Sequence, residues 1–492
     1  MIAIPIVART MGEALARIEA ARTLADAIEL RLDYLERPDP RTLVKACGLP
    51  VIATCRSVRD RGEFRGSEEE RIGLLQRAAD AGADFVDLEL ECAGKVRRGP
   101  KTRLIASAHD FERTPDDLIP IHRRLAATGA DVVKVVTWAN DIRDNLRLFE
   151  LTRHADVPTI AFGMGERGVI SRILTGKFGG FLTFGSIETG AESAPGQVTA
   201  RELRDLYRYP TIGPRTKLYG VIARPVAHSL SPAILNAAFI DADLDACYVP
   251  MLTDDAPATV GAFRALEFSG YSVTLPHKEV VMGALDEVES IARDIGAVNT
   301  IVRRPDGALW GANTDCEAAI ASIEVALPPN ASSRSPLAGR KTALIGARGA
   351  ARAIGFGLKR AGAVITVYNR TVEKARELAA ELKCDYAGLD QIQNLQADVV
   401  ANATSVGMHP DVDQTPVPAS VLRPGMVVFD AVYRPLFTRL LREAQAAGCK
   451  VVTGLEMFVG QAAEQFRLWT GLRPPVDLMR RIVLEHLEKR TE

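Results

Sequence analysis

The sequence has no excess of charge of either sign: 61 lysines and arginines stand against 62 aspartates and glutamates, for a net charge of -1. Such a balance creates no long-range field for a nucleic-acid backbone or an anionic membrane, so neither partner is expected and any anion must be held locally. No apolar run approaches the roughly 20 residues that cross a bilayer. The opening MIAIPIVARTMGEAL lacks a basic leader and a cleavage site, which points to the cytoplasm. Cysteine is sparse. The residues Cys47, Cys55, Cys92, Cys247, Cys316, Cys384 and Cys449 form no CxxC pair, a pattern that fits reduced thiols better than disulfides or a zinc site. The seven histidines show no HExxH spacing either, and no metal is expected. What remains, 47% hydrophobic and 25% charged residues, is the composition of an ordinary globular protein with little disorder.

At 492 residues the chain exceeds what one hydrophobic core can organise, and more than one function is plausible. From the first residue, short apolar runs alternate with amphipathic stretches: IAIPIVA, AIELRLDYL, PVIATCRS, FVDLELE, RLIASAHDF, DVVKVVTWA, PTIAFGMG and FLTFGS. These read as eight strands. Stretches such as Glu68 to Ala81 and Asp116 to Thr128 repeat apolar residues at three- and four-residue steps and read as helices. Eight such units by about Tyr207 predict a (β/α)8 barrel. After Tyr207, YPTIGPRTK has no visible apolar face and two prolines that interrupt a helix, so a boundary is placed there. A second polar stretch, Pro328 to Gly339, divides the remainder, and KTALIGARGAARAIGFGLKRAG-AVITVYNR then reads as the strand, glycine turn, helix and strand that open a Rossmann unit. The expected fold class is α/β, with a barrel at residues 1–212, a substrate lobe at 213–327, a Rossmann nucleotide-binding lobe at 328–455 and C-terminal helices at 456–492 that return to the substrate lobe. No solenoid repeat is present.

Within the first half, Lys134 lies in DVVKVVT with two valines on each side. Burial among such residues penalises an ammonium and favours a neutral amine that can attack a carbonyl. A strand-end lysine that pairs with an acid reads the same way. Polar residues fall at the C-terminal ends of other predicted strands, where barrels collect their chemistry: Glu29 and Arg31, Arg56, and His109. His109 alone also reads as a satisfied core histidine, and the arginines as rim ion pairs.

The motifs ELRLD, CRS, HDF-x-x-TP, VVK, GMGERGVISR, TFG and SAPGQ resemble those of the type I 3-dehydroquinate dehydratases, across essentially residues 1 to 207. The resemblance implies that Lys134 forms an iminium with a substrate ketone and that His109 moves the proton. It further implies that Glu29 and Asp60 orient the histidine, that Arg31, Arg56 and Arg172 bind substrate, Arg172 through its carboxylate, and that Ser193 and Gln197 close over the ring. One stretch departs from the family pattern. Where relatives carry a glutamate and two glycines after the strand-three arginine, this chain reads RSVRDRGEF, with Asp60 a methylene shorter and Arg61 in place of a glycine.

In the second half, YSVTLPHKEVV puts Lys278 just after a strand and a turn, and GANTD places Asp315 after another. A lysine–carboxylate pair can pass a proton to a carbonyl oxygen as a hydride arrives, although an exposed lysine opening a helix fits Lys278 as well. Ser229 and Ser231 in HSLSP offer donors where Pro232 starts a helix, suited to a carboxylate or to a simple cap. These stretches, with GAVNT, NRT, NATSVGM, DAVY and GLEMFVGQAAEQFRLWTG, resemble the shikimate dehydrogenases over residues 217 to 492. That resemblance implies Lys278 and Asp315 as the catalytic pair, Ser229 and Ser231 on the substrate carboxylate, and Thr274, Asn299, Asp315 and Gln461 on the ring hydroxyls. It implies too that Tyr433 lies close by and that a helix from Phe458 folds back to the substrate lobe. The same resemblance implies cofactor contacts from Gly346, Arg348, Gly349, Ala350, Asn369, Arg370, Thr371, Thr404 and Gly454.

A Rossmann strand that prefers NAD ends in an acid that grips the ribose 2′-hydroxyl; here the second strand ends in Asn369, Arg370 and Thr371, so NADP(H) is expected. Relatives read GAGGA in the glycine turn where this chain reads GARGA. The implied substrates are 3-dehydroquinate, 3-dehydroshikimate and shikimate. A quinate-directed or half-idle enzyme, and a metabolite-sensing regulator built on retired enzyme domains, are the competing readings. Lys134, His109, Lys278 and Asp315 argue against the regulator, and Ser229, Ser231 and Thr274 argue against quinate.

Overall fold

The computed structural model describes residues 1–227, 229–330 and 333–488. His228 of the HSLSP run, Ala331 and Ser332 of the second polar stretch, and Lys489 to Glu492 lie outside the described residues. Two compact units form: Met1–Ala227 with Leu244–Asp255 and Gly261–Leu266, and His228–Asp243 with Ala256–Val260 and Glu267–Glu492.

The first unit is built on β1 (Ile2–Ile6), β2 (Ala27–Arg31), β3 (Val51–Thr54), β4 (Phe85–Glu89), β5 (Arg103–Asp110), β6 (Val132–Trp138), β7 (Thr159–Met164) and β8 (Thr183–Ser186). All are parallel, each beside its sequence neighbour from β1 to β7, and β8 returns to pair with β1. The Phe181 N–H donates to the Thr159 carbonyl at 2.8 Å, which joins the entry of β8 to β7. The eight expected strands and the (β/α)8 barrel are thus found, and a short β9 (Val198–Thr199) adds to β8. Helices α1 (Met11–Ala21), α2 (Pro40–Cys47), α3 (Glu68–Asp80), α4 (Ile119–Ala126), α5 (Asp144–Arg153) and α6 (Val169–Leu174) connect the strands. A capping box starts α3: the Glu70 N–H donates to Ser67 Oγ at 3.2 Å, and the Ser67 N–H to Glu70 Oε2 at 2.7 Å. Helix α4 is shorter than the stretch 116–128 because Pro120 fits only a first turn.

Strand alternation decides what the barrel encloses. Ala27, Ile52, Phe85, Ile105 and Val132 point inward and form an apolar floor. Two residues further along each strand the inward positions are Glu29, Thr54, Asp87, Ser107 and Lys134, and all five are buried. The outward residues Ala106, Val133 and Val135 pack with Leu125 and Leu148 of the helices.

The segment after Tyr207 differs from its expected character. Tyr209 and Ile212 are buried, and Lys177 Nζ donates to the carbonyls of Pro214 and Thr216 at 2.9 and 2.8 Å. A single 3-10 turn, Tyr209–Thr211, is all the helix its prolines allow. Beyond it, β10 (Lys217–Ala223) and β11 (Ala246–Leu252) run parallel in register.

The later helices are α7 (Ser231–Asp241), α8 (Ala256–Phe263), α9 (Ser290–Ile295), α10 (Thr314–Ala326), α11 (Ala350–Arg360), α12 (Val372–Leu382), α13 (Arg439–Ala446), α14 (Gly454–Thr470) and α15 (Val476–Glu488). In the second unit, β12 (Gly270–Val273), β13 (Glu287–Val288), β14 (Thr300–Arg303) and β15 (Leu309–Ala312) lie in the order β12-β14-β15-β13. A further sheet of β16 (Lys341–Ile345), β17 (Val364–Asn369), β18 (Asp385–Gly388), β19 (Val399–Asn402), β20 (Val427–Asp430) and β21 (Lys450–Val452) is parallel throughout, in the order β18-β17-β16-β19-β20-β21. This is the doubly wound order of a Rossmann sheet, whose order reverses between β16 and β19, and such a reversal opens a crevice at the carboxyl ends of the two strands.

Helix α14 begins at Gly454, four residues before the expected Phe458, where a Cβ would lie 2.5 Å from the Ala431 carbonyl oxygen. Its side chains reach β12 and β14. Gln465 Nε2 donates to the Asn299 carbonyl at 3.2 Å and meets Thr300 Oγ1 at 3.1 Å, and Gln465 Oε1 accepts from Ser272 Oγ at 2.7 Å. Trp469 Nε1 donates to the Ile301 carbonyl at 2.9 Å. Its indole occupies the space above Gly270, where a Cβ would meet Trp469 Nε1 at 2.2 Å. Gly270→Ala is therefore expected to destabilise the second unit by about 1–3 kcal/mol through overpacking. Denaturant unfolding of the two forms checks this; coincident midpoints would mean that α14 moves aside without cost.

Candidate active sites

At the barrel mouth, charge is organised around a residue that the sequence reading did not single out. Asp87, wholly buried on β4, accepts from Lys134 Nζ at 2.8 Å, from Arg56 Nη2 at 2.9 Å and from Ser107 Oγ at 2.6 Å. Burial alone would raise its pKa, but the neighbouring Arg56 and Lys134 cations hold it well below the usual carboxylate range. The strict alternation in FVDLELE, with Phe85, Asp87 and Glu89 on one face, was the signal that could have found it.

Lys134 is not surrounded by the four valines of its segment. Only Val132 and Val136 share its face, and its ammonium meets Asp87, lies 3.6 Å from Glu29 and sits 4.5 Å from the Phe184 ring centroid. The apolar pocket expected from the flanking residues is thus replaced by a paired one. Arg56 also donates to Glu89 Oε1 at 2.8 Å, and Glu89 accepts in turn from Arg71 at 2.9 Å. Arg31 forms a bidentate pair with Asp33, at 3.0 and 2.7 Å.

His109 shares this cavity with Glu29, Arg31, Arg56, Asp60, Lys134, Arg172, Ser193 and Gln197. Burial, and then the Arg56 and Lys134 cations, hold its pKa well below the ordinary imidazole value. The expected carboxylate orienters do not hold it. Glu29 accepts from Thr54 Oγ1 at 2.9 Å, Asp60 accepts from Ser57 Oγ at 2.9 Å, and among the described residues neither is hydrogen-bonded to His109. Asp60 is too short to leave its own loop, and Glu29 is engaged across the strands. The His109 ring instead stacks on Phe111, centroids 5.7 Å apart and planes 12° from parallel.

Arg172, on α6, is 1% exposed and lies over the Phe162 ring at 4.3 Å. Among the described residues its Nε and Nη2 have no partner, and burial pushes its pKa down to about 9. A buried guanidinium with two open donors calls for a bidentate anion such as a carboxylate. Ser193 and Gln197 are tied to each other, the Ser193 N–H donating to Gln197 Oε1 at 2.8 Å, so the loop that carries them is pre-shaped at the cavity edge.

In the second unit Lys278 Nζ donates to Asp315 Oδ2 at 2.6 Å, with both side chains largely buried. Asp315 is fixed because Asn313 caps α10, its side chain accepting from the Cys316 N–H at 3.2 Å. Lys278 is fixed because its carbonyl accepts from the Val298 N–H at 2.8 Å. Asn299 lies alongside, accepting from the Thr314 N–H and Thr300 Oγ1, both at 2.8 Å. The half-buried Thr274 accepts through its carbonyl from the His277 N–H at 2.9 Å. Ser229 Oγ accepts from the Ser231 N–H at 3.3 Å, at the start of α7. Gln461 donates to the Phe458 carbonyl at 3.0 Å, and Tyr433 stacks on Phe458 at 4.7 Å. Gln465, one turn beyond Gln461, is the additional residue here: its amide binds the Asn299 backbone and so holds that corner of the site.

Of the residues expected at the nucleotide, Gly346 and Thr404 meet where the Rossmann order reverses, while Asn369, Arg370 and Thr371 follow the neighbouring β17. Gly346, φ 114°, follows β16, and a Cβ there would stand 3.1 Å from Thr404 Cγ2. Thr404 is held in turn by Asn402, donating to Oδ1 at 2.7 Å. Arg348 and Gly349 lead into α11 at Ala350, whose first amide N–H groups favour an anion. Asn369 Nδ2 donates to the Thr371 carbonyl at 2.9 Å beyond β17. Arg348 and Arg370 are both exposed, and among the described residues neither forms an ion pair. Glycine clearance, helix amides and two uncommitted guanidiniums fit a dinucleotide that carries an extra phosphate.

Family models match the chain in four stretches. Residues 2–214 match type I 3-dehydroquinase, 221–301 the shikimate dehydrogenase substrate binding domain, 330–429 shikimate / quinate 5-dehydrogenase, and 454–484 the shikimate 5'-dehydrogenase C-terminal domain. A shikimate dehydrogenase (NADP(+)) of Pyrococcus abyssi is 43% identical over 56% of this chain and 99% of its own. The solved shikimate dehydrogenase of Thermus thermophilus, in complex with NADP(H) and shikimate, is 38% identical with a TM-score of 0.50, over 55% of this chain and 99% of its own. A chloroplastic bifunctional 3-dehydroquinate dehydratase/shikimate dehydrogenase of Arabidopsis thaliana is 42% identical over 99% of this chain and 84% of its own. With a relative so similar across nearly its whole length, and with a lysine–histidine barrel mouth and a lysine–aspartate pair both in place, the chain belongs to the family of bifunctional 3-dehydroquinate dehydratase/shikimate dehydrogenases.

Proposed function

We propose that the chain dehydrates 3-dehydroquinate to 3-dehydroshikimate in its barrel and reduces that product to shikimate with NADPH in its second half. The observation that carries the reading is the barrel cavity, which Lys134, His109 and the unpartnered Arg172 all line. In this proposal Arg172 takes the substrate carboxylate. Lys134, as the amine, adds to the ketone carbon, and loss of water leaves an iminium that acidifies the neighbouring C–H. His109 removes that proton, and the electron pair moves into the iminium as an enamine. Collapse of the enamine expels the hydroxyl, which His109 protonates, and hydrolysis frees the dehydrated ketone and Lys134. Arg31, Arg56, Ser193 and Gln197 surround the ring, while Asp87 and Glu29 hold the Lys134 nitrogen in place.

In the second site Ser229 and Ser231 bind the carboxylate, and Thr274, Asn299 and Gln461 the ring hydroxyls, with Tyr433 at the edge. Bound NADPH supplies the hydride. Lys278 gives the carbonyl oxygen its proton, and Asp315 sets the direction of the Lys278 N–H bonds. Gly346, Gly349, Ala350, Thr404 and Gly454 shape the nucleotide cleft, Arg348 meets the pyrophosphate, and Arg370 meets the 2′-phosphate beside Asn369 and Thr371. The working divisions are residues 1–212 for dehydration, 213–327 for the substrate lobe, 328–455 for the nucleotide lobe and 456–492 for the returning helices. Seven free cysteines suit the reducing cytoplasm as its location. No helix among the described residues is long and apolar enough to cross a membrane.

Three measurements test this reading. Borohydride added with 3-dehydroquinate is expected to leave a substrate adduct on the peptide containing Lys134 and none in Lys134→Ala; a wild type that turns over without an adduct would overturn the iminium. Because His109 is held below its ordinary range, its proton-accepting form persists into mild acid. The kcat/KM of dehydration should then show no fall near the ordinary imidazole value of about 6.5, and an acid limb at that value would contradict the buried base. Finally, loss of a charge-assisted phosphate contact costs on the order of 1.5–3 kcal/mol, so Arg370→Ala is expected to raise the KM for NADPH roughly 10- to 150-fold and to leave NADH use almost unchanged. Equal weakening of both cofactors would show that Arg370 does not read the 2′-phosphate.

A further inference from the structure

The orientation of His109 is left to stacking, and the stack has a third member. Phe111 lies against the imidazole on one side, and the guanidinium of Arg61 lies over the Phe111 ring at 4.6 Å from its centroid. Arg61 lines the same cavity as His109 and Lys134, and among the described residues it forms no ion pair with a carboxylate. Its backbone is held at φ 56°, ψ 30°, the left-handed region that a residue bearing a Cβ avoids. The loop around it imposes that conformation. The N–H groups of Asp60 and Gly62 both donate to the Ser57 carbonyl, at 3.0 and 2.8 Å, while the Val58 N–H donates to the Phe64 carbonyl and the Phe64 N–H to the Arg56 carbonyl, each at 3.2 Å. A Cβ on the following Gly62 would fall 2.1 Å from the Arg56 carbonyl oxygen, so the turn cannot shift toward the strand. A glycine at position 61 would relieve the strain; an arginine there makes sense only if its side chain earns the conformation. Backbone strain at an active site, a cation over an aromatic face and that same aromatic against the catalytic base point one way.

We infer that Arg61 is a positioning residue for dehydration: its guanidinium clamps Phe111, and Phe111 holds the His109 ring at the angle needed to take the substrate proton. The clamp does what the Asp60 and Glu29 carboxylates do not do here, since both are bonded elsewhere. The inference rests on the assignment of Lys134 and His109 made above. It places Arg61 after iminium formation, because the residue acts through His109 and not through Lys134.

The test uses the full chain as wild type, Arg61→Gly, Arg61→Lys, Phe111→Leu and the Arg61→Gly/Phe111→Leu pair. Arg61→Gly is expected to lower the dehydration kcat by about tenfold with KM changed less than about twofold, the mark of an interaction that matters in the transition state. The Lys134 adduct trapped by borohydride should be retained, and the primary isotope effect on the transferred hydrogen should rise as proton abstraction becomes limiting. Arg61→Lys, which keeps the cation and loses the planar stack, should recover only part of the rate. The double variant should lose no more than about twofold beyond the worse single one, as expected of two residues acting through one contact. Shikimate formation from supplied 3-dehydroshikimate, unchanged in every variant, reports an intact chain. An unaltered kcat in Arg61→Gly, a loss confined to KM, or full additivity of the two substitutions would each overturn the clamp. A wild type that yields no Lys134 adduct would overturn the underlying assignment instead.

Discussion

Asp87 is the residue on which the barrel site depends. One carboxylate with no solvent contact collects Lys134, Arg56 and Ser107, and through Arg56 and Glu89 the network reaches Arg71. Such a group is costly to bury and strongly destabilising to leave unpaired, so each member keeps the others in place. The consequence is positional. The Lys134 nitrogen is drawn to Asp87 and Glu29, and Arg56 is held by three acceptors, Asp87, Glu89 and Ser107. Arg172 has two buried donors without a partner among the described residues, and an incoming anion would complete its bonding.

The chain uses a lysine beside a carboxylate twice, to different ends. Lys134 lies on a strand inside a closed sheet, where the surrounding acids hold the nitrogen that, in the proposed reaction, bonds to carbon. Lys278 lies after a strand end and a turn, and its single partner Asp315 sits in the first turn of a capped helix, an arrangement that favours proton transfer without covalent attachment. The difference follows from the elements that carry them. A barrel interior surrounds its side chains with other strands, while a turn opposite a helix start leaves one side open to a substrate.

Departures from family pattern fall at both sites and have a local physical explanation in each. The shortened Asp60 binds Ser57, and the neighbouring Arg61 adopts a left-handed backbone to cover Phe111. In the glycine turn of the Rossmann lobe, Arg348 extends into solvent while Gly346 retains the close approach to Thr404, so the backbone clearance that the nucleotide needs is kept despite the added side chain.

Much of this was legible in the sequence because it is periodic or local. Alternating strands and amphipathic helices gave the eight barrel units, and GARGA between two apolar runs gave the Rossmann opening. TLPHK and GANTD pointed to the Lys278 and Asp315 that pair in the second half, since both sit at element ends where a side chain is aimed by its own backbone. The assignment of Asp87 as a hub, the engagement of Glu29 by Thr54, the loss of any carboxylate from His109 and the return of Gln465 to Ser272 were not legible. Each depends on residues from different strands or helices, 20 to 193 positions apart, that meet only when sheets close and helices pack. The valines around Lys134 show the limit most directly: the sequence determined that they are apolar neighbours, but the strand's two-residue period sends Val133 and Val135 outward, and only the closed barrel decided that the lysine would face two carboxylates.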